Sequence, residues 1–240
     1  MKLFFVLALV LGSLSFACLA GEQAVIGYIE LPKVLDSKLK SSPYNRLMAK
    51  LLARIDLPYS TQFVSSGRAN ALMHQGRLDC IFPVVPGGYQ RSVPTILSDT
   101  TNNVSVHLFS AKPPGFTSLK EMEDKVIVYS RGMYFGDLFR KNKNIKFLAV
   151  DSEDIAIKLL LKNRADAYLA YYPDIKLSLD KEQYRQLVFD AMQPVAVSED
   201  KLECADNAKN KAFIDKFNKE LDKMKASGEL KLILGDYFNF

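Results

Sequence analysis

Two histidines are all that this 240-residue chain contains. His74 sits in an apolar-periodic stretch and His107 in a β-rich one. Neither has a nucleophile and an acid around it as a Ser-His-Asp set requires. Cysteine is nearly as scarce, three residues in all, and no cluster of His, Cys, Asp or Glu has metal-site spacing. No metal, cofactor or catalytic residue is therefore assigned. Gly and Pro, at 12 and 10 residues, are too few for a long disordered tract. Past Ala20, no apolar run approaches the ~20 residues of a membrane span. The net charge of +5 is mild and scattered, without the basic stripe that nucleic acid requires. What remains is a globular composition, 48% hydrophobic and 25% charged, long enough for one large domain or two small ones.

The N-terminus reads as a processing segment. Lys2 precedes an uncharged run from Leu3 to Leu11, and small residues follow up to Ala20. That is the layout of a signal peptide over residues 1–20, cut after Ala20 with Cys18 at the −3 position. Lipoprotein processing at Cys18 is the alternative, although Ser15-Phe16-Ala17 is a poor lead-in to it. Export leaves Cys80 and Cys204. In an oxidising compartment such a pair is a disulfide candidate. The alternative is that Cys80 is a small buried hydrophobe on a strand; geometry decides between them.

The hydrophobic pattern alternates strand and helix. "AVIGYI" (Ala24–Ile29) is a short β-rich run. Ser42-Pro43 supplies a cap and a first-turn proline, and Tyr44, Leu47, Met48, Leu51, Leu52 and Ile55 follow on one helical face. Ser60–Val64 reads as a second strand. Ser66 opens a helix carrying Ala69, Leu72 and Met73, which Gly76 ends in a left-handed turn. Asp79–Val84 is the third strand. The later half repeats this order, with strands at Val126–Tyr129, Ile145–Val150 and Ala167–Ala170. Its helices cover Met133–Arg140 and, capped by Asp151 or Ser152, the run with Ile155, Ala156, Leu159 and Leu160. Asn163 takes the place of Gly76. "GRLD" and "NRAD" are thus one helix stop and strand start written twice, in two similar α/β lobes. Both residues of Arg-x-Asp are expected on solvent-facing connections, with no chemical role.

Val104–Gly115, ending in "AKPPG", and Gln193–Ser198 suit a strand out and a strand back, two crossings that form a hinge. Phe213, Phe217, Leu221 and Met224 then stripe a long helix closed by Gly228. Leu230, Ile233, Leu234 and Tyr237 stripe a last one. Such stripes are core contacts rather than a cofactor box.

"NKAFIDKFNKELDKMKASGELKLILGDYF" (Asn210–Phe238) resembles the C-terminal end of bacterial extracellular solute-binding proteins of family 3, the amino-acid-type periplasmic binding proteins. "SGRANALMHQGRLDCIF" and "VDSEDIAIKLLLKNRADAYLA" resemble that family's two helix–strand phrases, and "GYQRSVPTILSDT" the stretch before its hinge. The resemblance spans nearly the whole mature chain. It implies the type II two-lobed α/β fold, each lobe a small, mostly parallel sheet flanked by helices, with a two-stranded hinge. Lobe 1 would comprise 21–108 and 197–240, and lobe 2 would comprise 109–196. It further implies a monomer in the periplasm that binds a small polar solute, anionic or amino-acid-like, and closes over it. The partner would be an ABC permease for uptake or a membrane sensor. Nucleic acid is not a partner.

Ligands in such folds meet the C-terminal edges of the strands, which here fall at Tyr28–Glu30, Pro83–Pro86, Tyr129–Met133 and Tyr171-Tyr172. By resemblance, Arg91 stands where amino-acid binders grip the α-carboxylate with a guanidinium fork. Arg131-Gly132-Met133 stands where the family has a Gly-Ser/Thr turn offering helix N-terminal amides to an anion. Met133 departs from the hydroxyl residue, and Arg131 could compensate with charge. Tyr171 replaces the Asp that neutralises the α-ammonium, and Val84 and Pro86 stand where Ser residues assist the Arg. These departures argue against a standard α-amino acid, with Glu30 as a substitute acid. Tyr28, Tyr89, Tyr134 and Tyr171 could wall the cleft as flat amphipathic surfaces. A same-fold enzyme of dehydratase type is the rival reading, with Glu30 its candidate acid. A binding subunit without a permease is another.

Overall fold

A computed structural model describes residues 23–87, 91–135 and 137–239. The signal segment, its cleavage site and Tyr89 lie outside the described residues. Among the described residues, nine strands and eight α-helices follow in chain order. The first half contains β1 (Ala24–Ile29), α1 (Pro43–Leu52), β2 (Tyr59–Val64), α2 (Ser66–His74), β3 (Cys80–Val84) and β4 (Thr95–Leu97). Next come β5 (Asn102–Phe109), β6 (Val126–Ser130), α3 (Leu138–Lys141), β7 (Lys146–Val150), α4 (Glu153–Leu161) and β8 (Ala167–Tyr172). The chain ends with α5 (Asp174–Ser178), α6 (Lys181–Arg185), β9 (Ala196–Ala205), α7 (Ala208–Ala226) and α8 (Glu229–Leu234). No helix among the described residues is long and apolar enough to cross a membrane.

The strands form one curled path, β2-β1-β3-β9-β5-β8-β6-β7, with β4 on the side of β9. Its two ends are the parallel trios β2-β1-β3 and β8-β6-β7. Each trio gains one antiparallel strand, β9 against β3 and β5 against β8. β9 and β5 also pair with each other, Asn102 opposite Asp200 through Val106 opposite Ala196. These two strands belong to both halves and form the hinge. The halves are not two separate sheets, because the hinge strands carry the hydrogen-bond ladder across. The returning strand begins at Ala196 and runs to Ala205, later and longer than Gln193–Ser198. Pairing with three neighbours carries it through the polar stretch "SEDK".

The duplicated phrase makes the same structure twice. Gly76 and Asn163 both take left-handed backbone, φ 65° and 54°, as a helix C-terminus demands. The amides of Arg77 and Arg164 then reach back to the carbonyls of Leu72 and Leu159, at 2.9 and 2.8 Å. The aspartates do more than face solvent. Asp79 Oδ2 accepts from the Val25 amide and Asp166 Oδ2 from the Val126 amide, both at 2.8 Å. The amides of Asp79 and Asp166 donate to the carbonyls of Val25 and Val126 in turn, at 2.8 and 2.9 Å. Each Asp is therefore a two-point latch holding the first strand of its half. The two arginines lie exposed.

Packing follows the periodicity. α1 buries Tyr44, Leu47, Met48 and Leu51 against α7, whose stripe of Phe213, Phe217, Leu221 and Met224 is buried in the same core. The second half has its own cores, around Val128, Ile157 and Leu160 on one face and Ile127, Leu169 and Phe135 on the other. One cap differs from expectation by one residue, and another is settled between two candidates. Ser65 takes the N-cap position of α2, and Ser152 rather than Asp151 caps α4 by accepting the Ile155 amide at 3.3 Å. Among the described residues of Met133–Arg140, only Leu138–Arg140, the start of α3, are helical. Phe135 instead stacks on Tyr171, centroids 5.2 Å apart, and Phe139 lies 4.7 Å from both Tyr129 and Phe147. Aromatic packing has overridden local propensity there. Cys80 and Cys204, opposed on β3 and β9, are joined by a disulfide.

Candidate functional site

The C-terminal edges of β1, β3, β6 and β8 converge on the gap between the halves, where a cavity of about 70 Å³ lies. The first half contributes Ile29, Leu31, Pro83, Val84 and Val85, and the hinge contributes Val104 and Asp200. The second half contributes Gly132, Met133, Tyr134, Tyr171 and Asp174, and Tyr237 enters from the C-terminal turn. At this volume the space falls well below the ~300–1,000 Å³ of ordinary ligand pockets.

Hydrogen bonds link the halves around it. Tyr237 Oη donates to Asp174 Oδ1 at 2.7 Å, and Tyr134 Oη to the Gly87 carbonyl at 2.6 Å. Lys33 Nζ donates to the Ser178 carbonyl at 2.8 Å. Leu177 of α5 packs on the first-half core and Val85 on a second-half core.

The electrostatics come from carboxylates. Asp200 accepts from Tyr44 Oη at 2.5 Å and Asp174 from Tyr237. Burial raises the Asp174 carboxyl to about 6 and that of Asp200 to about 7, and the charge of Asp174 adds to the latter shift. Behind them Glu153, bonded to Ser178 Oγ, is raised by burial to about 7. Burial also lifts Tyr44 and Tyr237 well above the usual phenol value, so both stay protonated as donors. Among the described residues the lining includes no Lys, Arg or His.

The predicted residues divide. Gly132, Met133, Tyr134 and Tyr171 line the cavity. Tyr171 Oη donates to the Tyr134 carbonyl. Arg91 does not line it: its Nε donates to Glu203 Oε2 at 2.8 Å and a second guanidinium nitrogen pairs with the same oxygen. Each of these side chains is only 11% exposed, so the guanidinium fork is committed within the first half. Arg131 points to solvent, 65% exposed, against Asp151 at 2.8 Å. The Arg131 and Met133 amides donate to the carbonyls of Val150 and Ser130, at 2.6 and 3.1 Å. The helix N-terminus expected after Gly132 is not formed, since residues 133–135 are not helical. Glu30 accepts from the amide and hydroxyl of Ser37, at 3.0 and 2.9 Å, and ties a surface loop instead of facing the cavity. Tyr28 is buried edge-on to Phe63, centroids 5.5 Å apart, outside the lining.

Asp174, Asp200 and Tyr237 were missed. Asp174 lies just past the β8 edge, so extending that edge search by two residues finds it. Asp200 stands mid-strand in a polar run with no periodic signal. Tyr237 read as the tail of an apolar stripe.

No family model matches the chain, and no curated protein does. Solved structures do. The GluR0 ligand-binding core from Nostoc punctiforme, in complex with L-glutamate, matches with a TM-score of 0.74 at 14% identity, over 90% of this chain and 100% of that one. The substrate-binding protein of an ABC uptake transporter from Streptococcus pneumoniae, with bound histidine, matches at 0.72 and 15%, over 90% and 92%. Tv2483 bound to L-arginine matches at 0.70 and 15%, over 90% of each chain. These likenesses establish the fold.

Proposed function

We propose that this chain, which has the two-lobed fold of periplasmic solute-binding proteins, is a solute receptor that captures a small molecule between its halves. Hinge motion closes it, and an ABC permease or a membrane sensor reads the closed state. One observation carries the reading: a cavity walled from both halves lies beside the two strands they share. A site of that kind is complete only on closure, and a ligand shifts such a balance by its differential affinity for the closed form. The neighbours support it, being bound to glutamate, histidine and arginine. Lobe 1 is 21–108 with 197–240 and lobe 2 is 109–196, exported to the periplasm after cleavage at Ala20. Within the site we place Tyr134, Tyr171, Gly132 and Met133 against the solute and assign Arg91, Glu30, Arg131 and Tyr28 to structure.

An enzyme is the second reading, favoured by the raised Asp174 and Asp200 carboxyls in a cavity. Stoichiometric retention of a bound compound supports the receptor, and turnover supports the enzyme. Native mass spectrometry of protein purified without dialysis, then thermal shift against amino acids, amines, organic acids and small peptides, tests the proposal. A ligand at one hundred times its Kd stabilises by about 2.7 kcal/mol. A protein that carries no small molecule and responds to none of the compounds is not a solute receptor.

A further inference from the structure

Resting on that reading of the cavity, we infer that its solute is a small organic cation, whose ammonium sits against Asp174 and Asp200 and whose carbon lies on the apolar wall. The two acids arrive from different elements, Asp174 at the start of α5 and Asp200 on β9, and both line the same cavity. The side-chain donors that meet them are the neutral phenols of Tyr237 and Tyr44. Among the described residues no ion pair reaches either acid: Lys176 pairs with Asp236 at 3.8 Å, Lys33 bonds a carbonyl, and Lys201 pairs with Glu199 at 2.8 Å. A buried carboxylate without a counter-charge is costly, and two near each other more so. A cation entering between them removes that cost.

The same lining disfavours the opposite charge. An α-carboxylate would meet two acids and no basic side chain, with Arg91 held by Glu203. A bare metal ion fits poorly as well. No group of three or more His, Cys, Asp or Glu suited to a metal occurs among the described residues. Most of the remaining wall is hydrocarbon, from Ile29, Val84, Val85, Val104 and Met133, which suits an alkyl chain. The faces of the Tyr134 and Tyr171 rings suit an ammonium. Because Asp174 lies in the second half and Tyr237 and Val84 in the first, an ammonium held at Asp174 draws both halves together, which is the differential affinity that closure requires.

The test is calorimetric titration and thermal shift of the purified protein with n-butylamine, putrescine and tetramethylammonium. n-Butanol, succinate, L-glutamate and L-leucine are run beside them. At least one amine is expected to bind and raise the melting temperature, while n-butanol, the neutral analogue of butylamine, binds at least tenfold more weakly. Asp174→Asn and Asp200→Asn together are expected to weaken the amine at least tenfold. The butylamine–butanol comparison needs only the wild-type protein, so it stands even if that variant does not fold. Binding confined to amino acids or carboxylates overturns the cation assignment and leaves the receptor reading intact. Amine binding unaffected by a folded Asp174→Asn/Asp200→Asn variant also overturns it. Silence from every compound, with no co-purified molecule, overturns both.

Discussion

Replacing Arg91 with Met separates the structural from the ligand-gripping role of that guanidinium. In the structure Arg91 donates twice to Glu203 Oε2, and the other carboxylate oxygen accepts from Thr95 Oγ1 at 2.8 Å. Both charged side chains are largely buried, 11% exposed. Removing the Arg leaves Glu203 buried with one hydroxyl donor. Breaking a buried pair by removing one partner costs about 3–5 kcal/mol, and the residual exposure puts this case near ~3 kcal/mol. For a chain of this length each kcal/mol moves Tm by roughly 2–4 °C, so the expected drop is roughly 6–12 °C. Arg91→Met with Glu203→Met should regain most of that loss, because an apolar pair often replaces a buried ion pair at little cost. Differential scanning calorimetry reads the stability, and titration with whichever solute is found reads the site. Affinity at 25 °C should change less than threefold in Arg91→Met. A variant that melts within ~2 °C of wild type but has lost its ligand would refute the placement and restore Arg91 to the solute.

Asp79→Ala should destabilise more than Asp166→Ala. Both lose a charged acceptor for a strand amide, a bond worth about 1.5–3 kcal/mol, but Asp79 also loses Lys209 at 2.8 Å and is the less exposed; urea midpoints check the order. Cys80→Ser with Cys204→Ser removes a link between residues 124 apart and should cost about 2–5 kcal/mol, read by the same unfolding curves in oxidised protein. The carboxyls of Asp174, Asp200 and Glu153 sit above their unfolded values, at about 6, 7 and 7. The folded protein therefore binds more protons than the unfolded chain between about pH 4 and 7. The stability these groups contribute is present at the acid end and lost as pH rises through 6 to 7. Their neighbours, Tyr44, Tyr237 and Tyr168, stay neutral throughout, and nearby Lys33 only moderates the rise of Glu153. His107, lowered by burial, opposes the trend as it charges at the acid end. The ligand-free urea midpoint should rise from pH 7.5 to 5, and Asp174→Asn with Asp200→Asn should flatten the slope. A midpoint that falls over that interval contradicts the burial of these acids.

Much of the fold is legible because it is written locally. Gly76 and Asn163 mark helix ends by residue types that readily accept their left-handed backbone. The stripes of α1 and α7 announce their buried faces. Duplicated Arg-x-Asp told where two strands begin, though not that each Asp would hold the neighbouring strand's amide, a contact 54 or 40 residues away in sequence. Long-range pairing likewise decided the start of β9 and the fate of Met133–Arg140. At the site, the strand-edge rule found Gly132, Met133 and Tyr171, and the reading of tyrosines as flat walls found Tyr134. Resemblance put Arg91 there, but Glu203, distant in sequence, takes its guanidinium. Asp200 was hidden because a buried acid in "SEDK" looks like any solvated one until its Tyr44 partner is seen.

Closure can be followed directly by single-molecule energy transfer between dyes at Lys219→Cys on α7 and Glu182→Cys on α6, with the native disulfide intact. Saturating ligand should shift the dye-to-dye distances toward the shorter state, in which Tyr237 meets Asp174 and Tyr134 meets the Gly87 carbonyl. A distribution unchanged between ligand-free and saturated protein would contradict capture by closing halves.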